Sequence, residues 1–504
     1  MKTRINSTRA LAEFTSTLDF DNLTNQVVTA AKRAVLDTLG AAVFGTTTEW
    51  AKLGRRYVDR YGSLGQSTAI ASSETVSARD AALLNGLYAH GFELDDTHVP
   101  STSHPGCVIV PAALAVIPDC ESSGSRFLTA VVAGYEAMAR IGAAVAPDHM
   151  SRGFHVTATV GTFGAATAAC RMMGLREDQT LAALGIAGSF CSGVAEFAND
   201  SWGDMTKRLH AGQAAANGVI AAQLAASGYR GPRSILEGKQ GFLNCFSRSS
   251  NPAKLTRGLG RTYEIERHIS IKPYACCSNL FTVIEALKFL MARAGLNAGA
   301  VHRITVYTNR DSTQYHAQSR GIASIGAAQY SIPYAAAATL IGVIDDPLTA
   351  FSEAALRNPE IVRLCRKVAT RLDRRVDALF PKFEAARVVV ETRNGQHLEK
   401  LVKAPLGSPT RPLTSDQVAD KFDRLCRAVL PVQAIQRIRQ QVSALDSGAD
   451  TDDLLRLLRG GSDVEGIQQI REHRVVADRG GERDKTATTE SDGKRVEIPG
   501  VHAV

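Results

Sequence analysis

Acidic and imidazole side chains are concentrated in one short stretch, residues 91–105, which reads GFELDDTHVPSTSHP. A helical pattern with Ser77 as a candidate N-cap precedes this stretch, and the apolar run 107–117 follows it. Charged groups between two segments that both look buried need partners or a chemical role. The alternative is a hydrated loop whose charges face water. The stretch predicts a functional site, and its candidate residues are Glu93, Asp95, Asp96, His98 and His104.

Two further polar segments stand at the starts of helices that are rich in small residues. His155 precedes one such helix, and Lys207, Arg208 and His210 precede another, residues 211–226. The free N–H groups and the dipole at a helix N-terminus favour anions, and the basic side chains could receive carboxylates. A cap-region histidine and a solvated turn would give the same local patterns. Because small side chains let helix ends converge, the three segments together favour one shared pocket.

Helical periodicity dominates the first half of the chain, and alternation typical of strands appears after about residue 263. Residues 386–393 and 397–402 flank Asn394-Gly395, which is a strong signal for a β-hairpin. The other predicted strands are 268–274 and 302–308. The predicted helices are 22–44, 126–146, 280–293, 330–340, 359–368 and 416–445.

These elements predict a mainly α fold, with a large all-helical domain and a smaller α+β lid domain. The helical domain takes residues 1–265 and 412–446, and the lid takes residues 266–411. Residues 447–504 are polar and carry charges of both signs, so they predict a disordered tail with one possible short helix at 452–458.

The composition narrows the class of protein. Hydrophobic residues make up 44% and charged residues 21% of the 504, which is ordinary for a globular protein. The net charge of +8 suits anionic small molecules and nucleic acid equally, so charge alone does not choose between them. The sequence has no basic run interleaved with aromatic residues, which makes nucleic acid the weaker choice. The nine cysteines form no C-x-x-C pair, and the N-terminus lacks an apolar signal core. We expect reduced thiols, a cytoplasmic location and apolar runs too short to span a membrane.

Six motifs in a fixed order resemble the MmgE/PrpD family, which includes 2-methylcitrate dehydratase, cis-aconitate decarboxylase and an iminodisuccinate epimerase. The resemblance covers about residues 10–445. It implies a helical domain with an α/β lid, a site between them, a homodimer, and no cofactor or metal. The motifs are VLDTLGAAVFG, HGFELDDTHVPSTSHPG, GFHVTATVGTFGAA, MTKRLHAGQAAANG, KPYACC and YSIPYAAAATL.

The resemblance also implies a set of site residues. We expect lysines to hold substrate carboxylates, histidines to transfer protons, and acids to orient an imidazole or raise its basicity. The implied catalytic residues are Glu93, Asp95, His104, His155 and Lys207, and the implied substrate-binding residues are Thr97, Met150, Lys272 and Tyr334.

One position departs from the family pattern. Decarboxylases of the family carry a histidine nine residues after the lysine of the K-x-Y motif, and this chain has Phe281 there. A phenyl ring neither donates a proton nor meets a carboxylate. Either His268 or Tyr274 substitutes for it, or the chemistry differs from decarboxylation of cis-aconitate.

The resemblance predicts a cofactor-independent lyase. Its substrate would be a small citrate- or aconitate-like di- or tricarboxylate, dehydrated or decarboxylated through a carbanion or enolate. Two alternatives stay open: an isomerase or epimerase using the same pocket, and a non-catalytic binding protein on the same scaffold. The adjacent Cys276 and Cys277 could do redox work, but their apolar neighbours favour packing.

Overall fold

A computed structural model describes residues 6–121, 123–198, 205–318, 322–380 and 383–459. The fold is mainly α with a smaller α+β part, as the sequence predicts. The expected disordered tail lies outside the described residues from position 460 onward. The helices before the sheet are α1 Ser7–Thr17, α2 Asn25–Gly45, α3 Glu49–Tyr61, α4 Ala78–Ala89, α5 Gly106–Ala115, α6 Gly124–Val145, α7 Asp148–Ser151, α8 Val156–Met173, α9 Glu177–Ser189, α10 Thr206–Ala226, α11 Phe242–Phe246, α12 Ala253–Thr256 and α13 Glu264–Arg267.

The remaining helices surround a four-stranded sheet or return to the helical part. They are α14 Phe281–Ala294, α15 Arg310–Tyr315, α16 Ile325–Gln329, α17 Ile332–Ile341, α18 Pro347–Ala350, α19 Glu353–Leu356, α20 Pro359–Cys365, α21 Arg374–Asp377, α22 Ser415–Cys426, α23 Val432–Ser443 and α24 Thr451–Leu458. The strands are β1 Ser67–Thr68, β2 Thr75–Val76, β3 Thr97–His98, β4 Ile269–Ser270, β5 Val301–Thr308, β6 Val368–Leu372, β7 Ala386–Thr392 and β8 His397–Val402.

The main sheet has the strand order β6-β5-β7-β8. Its β7–β8 hairpin is antiparallel and confirms the Asn-Gly signal, with Gly395 at φ 81°. Strand β6 was not predicted: it pairs in parallel with β5 and begins at Val368, where the sequence suggested the end of a helix. The strand predicted at 268–274 is reduced to the two residues of β4, because the chain leaves the ladder at Ile271 and bonds to Gly407 instead.

Two hydrophobic cores account for the packing. The larger core joins α1 to α6 and α8 to α13 with α22, α23 and α24. The smaller core fills the space around the sheet and α14, α17 and α20. Phe92 and Leu94 belong to the smaller core. These two apolar side chains therefore fix the acidic stretch in place. In the sequence Glu93 lies between them, and Asp95 directly follows Leu94.

Helices α4 and α10 approach each other through glycine. A Cβ added to Gly86 would lie 2.7 Å from the Cα of Gly212, so a larger residue would separate the helices. This close approach places the end of α4 beside the start of α10. The acidic stretch follows α4 and the predicted basic residues open α10, so the contact brings the two segments together.

The length and hydropathy of helix α6 contradict the expectation that the apolar runs are too short to span a membrane. The helix has 22 residues and a mean hydropathy of 1.3, which by length and composition would suffice for a span. The whole of its apolar window is buried inside the protein, and buried core helices pass the same test. It also carries the buried ion pair Glu136–Arg140, whose Oε2–Nε distance is 2.9 Å. Other helices of the same chain therefore cover its apolar surface.

A lysine of α22 bonds to the backbone of the acidic stretch. Lys421 Nζ donates to Asp37 Oδ1 of α2 and to the carbonyl oxygen of Leu94, at 2.6 Å in both cases. All three groups are buried. The backbone between Glu93 and Asp95 is thereby fixed to the C-terminal helices.

Deleting residues 451–504 is expected to destabilise the protein by on the order of 5 kcal/mol, since burying one leucine side chain contributes about 1.5–3 kcal/mol. Leu454, Leu455 and Leu458 of α24 are at most 2% exposed, and the amide of Ala71 donates to the carbonyl of Leu458 at 2.8 Å. Urea denaturation measures the change. As the control, deletion from residue 460 should leave stability and turnover unchanged. An equal loss in both truncations would contradict the role given to α24.

Candidate active site

Two segments distant in sequence meet the acidic stretch. Strand β3 pairs with β4, with Thr97 opposite Ser270, and this pairing brings Lys272 to the stretch. The α4–α10 contact brings Lys207 and Arg208 to the same place. The resulting cluster is buried, and Lys207 is its most exposed cation at 8%.

Glu93 is the acid on which three cationic side chains converge. Its carboxylate forms ion pairs with Lys207, with Arg208 Nη1 at 2.7 Å and with Lys272 Nζ at 2.9 Å. The hydroxyl of Tyr330 donates to Glu93 Oε1 at 3.1 Å. Burial alone would raise the pKa of Glu93, but the three cations outweigh burial and hold that pKa well below its usual range. Glu93 is therefore ionised, and its φ of 56° is an uncommon conformation for a residue other than glycine.

Asp95 accepts from one imidazole and lies near a second. His90 Nδ1 lies 2.7 Å from Asp95 Oδ2, and His104 Nδ1 lies 3.4 Å from the same oxygen. His104 Nδ1 makes its shorter contact, 2.7 Å, to the carbonyl oxygen of Asp96. Burial opposes ionisation of Asp95, but His104, His90 and Lys272 lower its pKa well below the usual range. Burial also lowers the pKa of His104 to about 3, so that ring is neutral at pH 7.

Four imidazoles form one group beside the cations. His155 Nδ1 lies 2.8 Å from His210 Nδ1, so one ring donates to the other. The centroid of His90 lies 5.2 Å from that of His104 and 5.9 Å from that of His155. Burial, followed by the positive influence of His90 and Lys207, lowers the pKa of His155 well below its usual value. Neutral rings of this kind can accept or relay protons in a site that excludes water.

The structure brings together seven of the nine residues that the resemblance implies. Thr97 Oγ1 joins the group through a 3.3 Å contact to His104 Nδ1. Met150 lies apart, 47% exposed, with its sulfur 3.6 Å from Thr102 Oγ1. The seven residues are Glu93, Asp95, Thr97, His104, His155, Lys207 and Lys272.

The position implied for a pocket tyrosine needs correction. Tyr334 is buried in the smaller core, and its hydroxyl donates to the carbonyl oxygen of Ala350 at 2.7 Å. Tyr330, four residues earlier and in the turn between α16 and α17, contacts Lys207 Nζ at 2.6 Å and also Glu93. Both tyrosines belong to the same motif, and spacing alone did not distinguish them.

The sequence assigned no site role to His90, and Arg208 is not among the site residues that the resemblance implies. His90 directly precedes the acidic stretch, and Arg208 directly follows Lys207. Extending the acidic stretch by one residue would have included His90, and Arg208 already belonged to the basic segment before residue 211.

Phe281 does not take part in the polar cluster. It is fully buried in the smaller core, with its ring centroid 5.6 Å from that of Tyr274. His268 and Tyr274, the two suggested substitutes, make their contacts with other residues. His268 Nδ1 lies 2.7 Å from Glu264 Oε2, and the Tyr274 ring centroid lies 4.8 Å from Lys288 Nζ. Neither supplies the missing imidazole beside Glu93.

Among the residues that the structure describes, two groups have the donor types and spacing to hold a metal ion. One is His90, Asp95 and Cys107 within the cluster, and the other is His98, Glu264 and His268 near β3 and β4. In each group the candidate ligand atoms lie within 4.8 Å of one another. Their present contacts are also those of ordinary hydrogen-bonded networks, and the nine cysteines are all free.

We expect Asp96 to make stability depend on pH. Burial raises its pKa to about 7, against the lowering effect of its hydrogen bonds from the Tyr135 hydroxyl and the Gly106 amide. The folded state therefore holds a proton that the unfolded state releases near pH 4, and stability falls as the pH rises from about 4 to 7. Urea denaturation should show wild type losing about 1 kcal/mol per pH unit relative to Asp96→Asn in this window. If the free energy of unfolding changed equally with pH in the two proteins, the raised pKa of Asp96 would be contradicted.

Comparison with known proteins identifies the family of the chain. A model of the MmgE/PrpD N-terminal domain matches residues 9–255, and a model of the C-terminal domain matches residues 274–447. The cis-aconitate decarboxylase-like protein oryM of Aspergillus oryzae is 28% identical over 475 residues, covering 89% of this chain and 96% of the relative. The cis-aconitate decarboxylase of Aspergillus terreus is 28% identical, covering 89% and 95%. The human cis-aconitate decarboxylase is 29% identical, covering 86% and 90%.

Proposed function

Since the chain belongs to the MmgE/PrpD family, we propose that it is a cofactor-independent lyase that decarboxylates cis-aconitate or a closely related tricarboxylate. The observation that carries the proposal is the convergence of Lys207, Arg208 and Lys272 on one buried position beside a group of imidazoles. The relatives named as cis-aconitate decarboxylases support the choice of substrate.

The charge balance of the cluster suits a polyanion. Lys207, Arg208 and Lys272 are cations, and Glu93 and Asp95 are their ionised partners. With neutral imidazoles the five groups carry one excess positive charge. In a buried site this charge favours carboxylates strongly, because little water screens it. The substrate carboxylates would share the cations with Glu93.

The proposed reaction needs no external oxidant or reductant. The bond from the methylene carbon to its carboxylate breaks, and carbon dioxide leaves. The electron pair forms a terminal double bond, and the electrons of the original double bond move to the carbon beside a remaining carboxylate. A neutral ring of the cluster first takes up a proton from solvent to form an imidazolium. The imidazolium N–H bond then breaks as the new C–H bond forms, which returns the ring to its neutral form and gives a methylene-bearing dicarboxylate. Cations on the adjacent carboxylate stabilise the enolate-like intermediate, and His104 and His155 are the sequence-predicted proton donors.

Phe281 favours a second candidate within the same family. If the histidine at that position is needed for decarboxylation, the same cluster could instead dehydrate a citrate-like acid or epimerise a dicarboxylate. Both reactions begin when a neutral imidazole removes a proton beside a carboxylate. The described cluster supplies such imidazoles and the cations that would stabilise the resulting carbanion.

We also propose that the protein acts as a cytoplasmic homodimer, with a small carboxylate as its ligand and neither nucleic acid nor membrane as a partner. Helix α3 supports self-association, because Leu53, Tyr57 and Tyr61 recur on one helical face and are 40%, 56% and 62% exposed. Light scattering coupled to size exclusion tests the oligomeric state.

Incubation with a panel of di- and tricarboxylates in deuterated water, followed by proton NMR, distinguishes the candidates. Decarboxylation predicts loss of the cis-aconitate vinyl signal, new methylene signals and one deuterium in the product. Dehydration would produce a vinyl signal from a citrate-like acid, and epimerisation would exchange a proton without changing composition. Absence of every change, with ligand binding retained, would instead support a non-catalytic binding protein.

A further inference from the structure

His90 is a buried imidazole to which the sequence assigned no role. It caps the C-terminal end of α4 and is fully buried. Within the described part of the chain, His90 Nε2 has no hydrogen-bond partner. Asp95 Oδ1 accepts no hydrogen bond either, but it forms an ion pair with Lys272 Nζ at 3.7 Å. An unpaired polar atom in such a buried place is unfavourable and points to a ligand or a chemical role. The unpaired nitrogen belongs to the ring whose other nitrogen contacts Asp95.

Asp95 fixes the tautomer of His90. An ionised carboxylate only accepts hydrogen bonds, so His90 Nδ1, at 2.7 Å from Asp95 Oδ2, carries the hydrogen. The lone pair of the neutral ring is therefore on Nε2, on the opposite side from Asp95. The same carboxylate would stabilise an imidazolium formed when Nε2 takes up a proton.

The partners of the other imidazoles differ from this arrangement. His104 Nδ1 makes its short contact to the backbone carbonyl of Asp96, and His155 Nδ1 contacts another imidazole. His90 makes the shorter of the two imidazole contacts to Asp95. A carboxylate stabilises a positive ring more than a neutral partner does. His90 is therefore better oriented to hold an extra proton than the two histidines that the sequence suggested.

His90 also lies within the cluster rather than behind it. Its ring packs between those of His104 and His155, and Cys107 Sγ lies 3.6 Å from Nδ1. The pKa of His90 lies below its usual value, chiefly because the ring is buried. The negative charges of Asp95 and Glu93 raise this pKa, and the positive charge of Lys207 lowers it. The charged and titratable groups around the ring are Glu93, Asp95, His104, Cys107, His155 and Lys207.

We propose that His90 is a catalytic residue whose Nε2 exchanges the proton with the reacting carbon of the substrate; this assignment rests on the proposed function. In decarboxylation, the C–CO₂ bond breaks, the electron pair shifts along the double bond, and the new C–H bond forms as the Nε2–H bond breaks. The neutral ring regains its proton from solvent before the next turnover. Substrate carboxylates beside the ring favour its protonated form. His104 and His155 then hydrogen-bond the substrate.

The variant His90→Asn separates this role from a structural one. The side-chain amide of asparagine can still donate to Asp95, but it has no atom in the place of Nε2. We expect kcat for cis-aconitate to fall at least about 100-fold, while substrate Kd stays within threefold and Tm is unchanged. The wild-type kcat should decrease as the pH rises through the pKa of the bound-state imidazolium, and this limb should disappear in the variant.

His90→Gln serves as the second variant if His90→Asn does not fold, because glutamine fills the position of Nε2 without a titratable group. The same loss is expected. The control is His302→Asn, an exposed position on β5, with kcat within twofold of wild type. Turnover within fivefold of wild type in a folded His90 variant, or retention of the pH limb, would overturn the assignment. A wild-type protein that converts no acid of the panel would overturn the proposed function, and the assignment with it.

Discussion

Lys207→Ala is expected to lower kcat/KM at least about 100-fold, which is the scale of losing a group that stabilises charge in the transition state. Lys207 forms an ion pair with Glu93 and contacts the Tyr330 hydroxyl, and it is only 8% exposed. The effect should come from lost substrate and enolate binding. Arg208 and Lys272 still neutralise Glu93 in the variant, so the fold should persist. Steady-state kinetics with cis-aconitate measure the change.

A matched lysine provides the control. Lys288 Nζ pairs with Asp345 Oδ2 at 2.7 Å on the surface of the smaller core, and Lys288→Ala should keep kcat/KM within twofold. Circular dichroism and Tm verify that Lys207→Ala is folded. A folded Lys207→Ala protein with near-wild-type kcat/KM would remove this lysine from the site.

His155→Ala is likewise expected to cost at least about 100-fold in kcat, as losing a general acid, a base or a key hydrogen-bond donor typically does. The ring joins two parts of the cluster, because it stacks near His90 and hydrogen-bonds His210. Its removal would take away a polar partner of the substrate and leave His210 without this contact. Single-turnover measurements distinguish slower chemistry from slower product release.

The control for this histidine is His397→Ala, an exposed position on β8, which should behave as wild type. If both Lys207→Ala and His155→Ala turned over cis-aconitate at near-wild-type rates, the assignment of the site would be rejected. If only His155→Ala did so, the cations would keep their role and proton transfer would be assigned to the remaining imidazoles.

Local signals in the sequence were enough to predict most of the fold. Periodicity predicted the long helices α2, α6 and α14 within a few residues, and the Asn394-Gly395 pair predicted the hairpin. Strand β6 was missed because its pairing partner, β5, is distant in sequence and no local feature separates its start from the end of α20. Strand β4 was overestimated, since alternation cannot show where the chain leaves a ladder.

The site was predictable in its residue types but not in all its positions. Charged residues between apolar segments indicated Glu93 and Asp95, and helix starts indicated His155 and Lys207. Tyr330 lies in the turn between α16 and α17 and contacts Glu93, whereas Tyr334 lies on α17 and bonds to Ala350. Spacing alone did not settle the choice between them. The role of His90 depends on a hydrogen bond to Asp95 and on an unpaired nitrogen, and only coordinates reveal these.

The bond from Lys421 to the Leu94 carbonyl has a consequence for how the protein matures on the ribosome. The two residues are separated by 327 positions, so the backbone between the two acids lacks its support until most of the chain has been made. At roughly 5–20 residues per second, this delay is on the order of tens of seconds. A nascent chain released before residue 421 would carry every proton-transfer group and cation of the cluster. It would still lack the bond that fixes the backbone between Glu93 and Asp95.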